Sequence, residues 1–288
     1  MRDIRALPLG LAFFAAVLAA QSNRPDNQPY PPFRIIENIY YVGASDIASY
    51  LITTPAGHIL INSGYEETAP MVRDNILKLG FKLHDVKILL NSQAHYDHVA
   101  GQAEVQRLTG AKIYSSEREV SVLESGGKTD PRFGGEYTFP VVKVDRVVRD
   151  LEEVKLGGTT VVAHLTPGHS QGCTTWTLRA SEGGKTYDVV IVGGTGINPG
   201  VHLVGKPTWP GIADDFARTF RVYKSLPCDV FLGAHGVYFG MQAKVARMKA
   251  GEAMNPFIDP AGYKKFVDRA EKAYLAQLAA EEKGRAVR

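Results

Sequence analysis

The chain has 288 residues, of which 44% are hydrophobic and 22% charged. That composition excludes collagen-like, disordered and disulfide-scaffold classes, and the length is ample for a sizeable core. Lysine plus arginine number 33 against 30 acidic residues, a net charge of +3 with no long like-charge block, so no nucleic-acid partner is indicated.

The first segment reads as a cleaved secretory signal over residues 1–20. Arg2 and Arg5 form a basic start, Leu7 to Ala20 is apolar, and the text turns polar at Gln21-Ser22-Asn23. The apolar run is short for a membrane span, and no cysteine marks a lipid anchor. The expectation is an exported protein, periplasmic or secreted, without a stable membrane anchor, its folded domain covering residues 21–288. Cys173 and Cys228 are the two cysteines. Export permits their pairing, but buried thiols acting as small hydrophobes are the preferred reading. No self-association surface stands out, so a monomer is expected.

After a Pro- and Asn-rich loop, strands are predicted at Ile35 to Val42, Ser49 to Thr54 and His58 to Asn62. Glu66 to Leu79 has helical periodicity, with Gly80 as its cap. A short strand, Val86 to Leu90, precedes a helix at Val99 to Leu108 and a strand at Ala111 to Tyr114. Residues 125–140 are Gly-rich and aperiodic, a long loop of the kind that covers a site. Strands follow at Val141 to Val148, Val154 to Leu156, Thr160 to Leu165, Thr174 to Leu178 and Tyr187 to Val192. Gly183-Gly184 marks a hairpin between the last two. Ile212 to Ser225 is predicted helical, Val230 to Leu232 a buried strand, and Tyr263 to Lys283 a long helix.

The chemistry concentrates in Gln93-Ala94-His95-Tyr96-Asp97-His98, directly after a strand. Residues 93 and 95 share a side of extended backbone, and a turn swings 97 and 98 toward a neighbouring point. One short segment thereby offers donors to two metal ions, with the imidazole and carboxylate groups that zinc uses. His169 follows Thr166-Pro167-Gly168 and His235 follows Leu232-Gly233-Ala234, each at a strand end beside a glycine that allows close backbone approach. His58, His84 and His164 read as surface or packing histidines. His202 is a weaker pocket candidate.

These motifs resemble the metallo-β-lactamase superfamily, and within it the subclass B3 metallo-β-lactamases, across nearly all of the chain beyond residue 20. Asn91 to His98, Thr166 to Ser170 and Gly233 to Gly236 carry the resemblance, joined by Tyr40 to Gly43, Ile61 to Gly64 and Leu226 to Val230. It implies an α/β fold, an αββα sandwich in a single domain, with two zinc ions at one edge. It also implies that Gln93, His95 and His169 hold one ion, and Asp97, His98 and His235 the other. Gln93 stands where the family usually has histidine. An amide oxygen is a poorer zinc donor than imidazole, so the first site is expected to be weaker, and an enzyme working with one zinc in the Asp97 site is a live alternative.

The strand at Val190 to Gly196 lacks the metal-bridging aspartate of many superfamily hydrolases and offers Thr195 instead. That departure favours a β-lactamase over a lactone or ester hydrolase of the same fold. Thr195 fits either a contact to the substrate carboxylate or a turn cap. Val201 and His202 follow Pro199-Gly200 where some relatives have tyrosine, which leaves the oxyanion partner open between metal and His202. Phe133 and Tyr137 match loop positions that flank the pocket, with Arg132 as a candidate carboxylate partner. The implied reaction is opening of the β-lactam amide by a zinc-activated hydroxide, with Asp97 as ligand and acceptor or orienter of the water proton. The rival readings are another scissile bond on the same scaffold and a non-catalytic metal-binding module.

Overall fold

The computed structural model describes residues 24–286; the leader assigned to residues 1–20 lies outside them. The first half builds a sheet from β1 (Phe33–Ile36), β2 (Ile39–Tyr41), β3 (Tyr50–Thr54), β4 (Gly57–Ile61), β5 (Val86–Leu90), β6 (Lys112–Ser116) and β7 (Arg146–Val148), in that spatial order. Strands β4 to β7 are parallel neighbours. The second half builds β8 (Glu153–Leu156), β9 (Thr159–Leu165), β10 (Thr174–Glu182), β11 (Lys185–Val192) and β12 (Val230–Gly233), ordered β12-β11-β10-β9-β8.

Alternation along the central strands explains the layering. In β3 to β5, Tyr50, Ile52, Ile59, Ile61, Ile88 and Leu90 face the second sheet and share its core. Leu51, Leu60 and Leu89 point the opposite way, into a second apolar cluster. A strand buried on both faces needs a layer on each side. Helices α1 (Ala69–Lys78) and α3 (Gln102–Thr109) supply one, contributing Val72, Ile76 and Val105. On the outer face of the second sheet, α5 (Ile212–Ser225) buries Ile212, Phe216, Phe220 and Tyr223 at helical spacing. The long α7 (Pro260–Ala286) packs beside it through Tyr263, Phe266 and Tyr274. This is the expected αββα sandwich.

Several predicted boundaries move. The strand expected over Ile35 to Val42 is two, because Glu37 turns the chain at φ 44°. The helix expected over Val99 to Leu108 divides into α2 (Tyr96–Val99) and α3. The break is at Gly101, where a Cβ would lie 2.6 Å from the Ser63 carbonyl oxygen. Only Arg146–Val148 of the strand expected over 141–148 is paired. Helices α4 (Val120–Glu124) and α6 (Met241–Lys249) were not expected. The Gly183-Gly184 hairpin holds, with φ of 59° and 77° as a two-residue turn of this twist requires.

At the centre, Trp176 is buried and its indole N–H donates to the Asn91 carbonyl oxygen at 3.0 Å. This ties β10 of one sheet to the end of β5 in the other. Cys173 and Cys228 are both free thiols, the first buried and the second half-buried. No helix among the described residues is long and apolar enough to cross a membrane.

Candidate metal centre

Ligand sites in α/β sheets form beyond the carboxyl ends of strands, where successive chains diverge. Here the segments leaving β5, β9, β11 and β12 carry, respectively, residues 93–98, His169, Gly194 and His235 to one edge of the sandwich. The two halves are stitched there by a bridge between Ile47 and His235.

Asp97, His98 and His235 form a compact triad whose ligand atoms all lie within 4.8 Å of one another. Asp97 Oδ2 is 3.2 Å from His98 Nε2 and 3.5 Å from His235 Nε2. Burial opposes ionisation of Asp97, but His98 and His235 outweigh it and hold the carboxyl well below its ordinary range. The rings of His98 and His235 stand nearly perpendicular, centroids 4.9 Å apart.

The second group is Gln93, His95 and His169. The His95 and His169 rings approach edge to face at 4.9 Å. His169 Nδ1 lies 2.6 Å from the Gly196 carbonyl oxygen, which makes that nitrogen the proton carrier and leaves Nε2 as the donor atom. His95 Nε2 faces Asp130 at 3.6 Å, leaving Nδ1. Burial, reinforced by His169, pushes the His95 pKa well down, and burial brings His169 to about 4. Both rings are therefore neutral at neutral pH, the form that binds a metal. The Gln93 amide nitrogen donates to the Gly193 carbonyl oxygen at 3.2 Å.

A resident cation fits this donor set. Gln93 Oε1 and both ring nitrogens of His98 are buried without a hydrogen-bond partner. Orphaned buried polar atoms are costly and call for an occupant. His98 Nε2 lies among the ligand atoms of the Asp97 triad, an imidazole and carboxylate combination suited to zinc.

The supporting groups are those that spacing alone does not single out. Asp46, on the turn between β2 and β3, reaches His235 Nδ1 at 3.0 Å and raises its pKa against the effect of burial. Glu119 is buried and accepts from Ser170 Oγ and from the Gly172 N–H at 3.0 Å. It thus clasps the loop that carries His169. In sequence these are ordinary surface-type acids; only their long-range partners mark them.

Over the centre lies a cavity of about 440 Å³. Its walls include His95, Tyr96, Asp97, His169 and His235, the loop residues Phe133 and Tyr137, and Arg24. Tyr96 and Tyr137 stack with centroids 5.4 Å apart, and Phe133 packs edge-on to Tyr137 and His95. Three residues expected at the substrate do not line the cavity. The Arg132 guanidinium donates to the Pro199 carbonyl oxygen at 2.6 Å and lies over Phe133. Thr195 is buried and is not among the lining residues. His202 is exposed, its backbone N–H held by Thr208.

Residues 42–235 match the model of the metallo-β-lactamase superfamily. The chain belongs to that superfamily. Among solved structures it is similar to the FEZ-1 metallo-β-lactamase of Legionella gormanii, at 46% identity and a TM-score of 0.88, covering 90% of this chain and 99% of that one. BJP-1, a subclass B3 metallo-β-lactamase of Bradyrhizobium japonicum, shares 41% identity over 91% of this chain and 98% of its own, at a TM-score of 0.84. LRA-12, a class B3 di-zinc enzyme from an Alaskan soil metagenome, shares 37% over 89% and 97%, at a TM-score of 0.79. The subclass B3 resemblance read from the motifs is thus shared by fold, length and identity.

Proposed function

We propose that this superfamily member is an exported, zinc-dependent β-lactamase that opens the β-lactam amide. The observation that carries the reading is the convergence of two donor groups, with buried unpartnered ligand atoms, at the base of an aromatic-walled cavity. Gln93, His95 and His169 would hold one zinc, and Asp97, His98 and His235 the second. Bound zinc would supply Lewis acidity for the carbonyl and lower the pKa of a water to about 7.

The chain's own groups then have separate tasks. Asp97 stays ionised across the working pH range, so it accepts a hydrogen bond from the attacking water and aims its lone pair at the carbonyl carbon. Asp46 and the Gly196 carbonyl oxygen fix the tautomers of His235 and His169. Phe133, Tyr96 and Tyr137 exclude bulk water and pack against the substrate's apolar flank. Water adds across the amide C–N bond, its hydroxyl to carbon and its proton to nitrogen. No serine nucleophile is required.

Gln93 makes the first site the weaker one, and the Asp97 site fills first. Export to the periplasm or medium, after cleavage near Ala20, suits an enzyme that meets antibiotics outside the cytoplasm, and a monomer suffices for the site. The test is hydrolysis of a β-lactam panel with and without chelator, then with zinc restored. Chelator-sensitive ring opening supports the reading. Turnover of lactones or esters alone, by zinc-replete protein, overturns it.

A further inference from the structure

Bicyclic β-lactams carry a carboxylate on the carbon next to the ring nitrogen, and a cationic side chain beside the metal centre favours its binding. Arg132, the arginine nearest to hand in the covering loop, is occupied by the Pro199 carbonyl oxygen and stands outside the cavity. Among the described residues lining the cavity, Arg24 is the one lysine or arginine. We infer that Arg24, from the segment preceding the first strand, receives the substrate carboxylate. This rests on the β-lactamase reading and names a specificity residue for it.

Arg24 is placed, not dangling. The Asp26 carbonyl oxygen accepts from the N–H groups of Asp46 and Ile47 at 2.9 and 3.1 Å. Ser45 Oγ donates to the Pro25 carbonyl oxygen, and Ser45 N–H to that of Gln28 at 2.8 Å. On the other side Tyr65 O–H donates to Asp26 and Thr68 Oγ1 to Asn27, at 2.9 and 2.6 Å. The segment is thereby moored to the same turn that presents Asp46 to His235.

The guanidinium lies over two rings, its central carbon 4.6 Å from the Tyr65 centroid and 5.3 Å from that of Tyr96. The Tyr65 and Tyr96 side chains thus position the guanidinium, and Arg24 is presented to a carboxylate where it lines the cavity. Glu67 sits 3.6 Å from Nε, but Nε has no hydrogen-bond partner. Glu67 Oε1 is buried as well, so this pair holds the guanidinium through Nε and leaves a substrate carboxylate to the terminal nitrogens.

The test compares zinc-loaded wild type, Arg24→Ala and Arg24→Lys on a penicillin and on its methyl ester. A charge-assisted contact predicts that Arg24→Ala lowers the acid-to-ester ratio of kcat/KM about 10- to 100-fold, mostly through KM. Arg24→Lys should recover part of the ratio. Equal losses on acid and ester, with a lowered Tm, would make Arg24 a structural residue and overturn the assignment, as would an unchanged ratio. Wild-type protein that opens neither compound would bring down the β-lactamase reading itself, and this assignment with it.

Discussion

Asp46 Oδ2 and His235 Nδ1 meet at 3.0 Å across the two halves of the chain. The bond sets the ring's tautomer and turns Nε2 toward Asp97. Asp46 is itself held, because it accepts from the Val237 N–H at 2.7 Å through Oδ1 and from the Gly236 N–H through its carbonyl oxygen. Asp46→Ala should weaken zinc binding at the Asp97 site about 10- to 100-fold. Competition with a chromophoric chelator measures it, and unaltered affinity would dismiss the role.

The two candidate zinc sites should fill in sequence. Gln93 offers one neutral amide oxygen, oriented by the bond from its nitrogen to the Gly193 carbonyl oxygen. Calorimetric zinc titration of metal-free protein should resolve a tight and a weaker event. Gln93→His should draw the two together by strengthening the weaker one. A single event of two equal ions in the wild type would contradict this.

Gly194 leaves no room for a side chain. A Cβ there would lie 2.6 Å from His169 Cδ2 and 2.8 Å from Cγ. Gly194→Ala should therefore destabilise the fold by about 1–3 kcal/mol and displace the His169 ring. The expected signature is selective loss of the weaker zinc event, with the Asp97 site still filling. Thermal melting and the same titration read both effects.

Glu119 gives the protein a stability that declines with rising pH. Burial pushes its carboxyl from 4.5 up to about 7, the bonds from Ser170 and Gly172 working in the opposite direction. The native state thus holds this proton more tightly than the unfolded chain. The contribution is fully present below about pH 4.5 and is lost as pH rises through about 7. Glu119→Gln stays neutral and keeps an acceptor, so it should gain on the wild type toward alkaline pH, by ~3 kcal/mol at most. Parallel melting curves of the two zinc-loaded proteins check this; a constant difference in Tm across that range would refute it.

Local signals carried the elements whose causes are local. Strand-like runs marked β3 and β4, two glycines marked the β10–β11 turn, and α5 was expected over the Ile212 to Ser225 it occupies. The split at Gly101 was not readable, because the Gly101 N–H donates to the Gly64 carbonyl oxygen and the His98 carbonyl accepts from the Ser63 N–H, partners distant in sequence. The same division holds at the site. Residues 93–98 announce themselves by density of donors in one segment. Arg24, Asp46 and Glu119 act only across the fold, and Arg132 looked suitable until the Pro199 carbonyl oxygen claimed it.

The indole bond from Trp176 to the Asn91 carbonyl oxygen also makes the molecule its own optical gauge. The chain has two tryptophans. One sits two residues from Gln93 through that bond; the other, Trp209, donates to Asp215 at 2.9 Å beside α5. Emission from the first should follow strain at the end of β5 when zinc or substrate arrives, while the second supplies a steady background. Replacing Trp209 with phenylalanine would leave a single fluorophore and a label-free view of site loading in stopped flow.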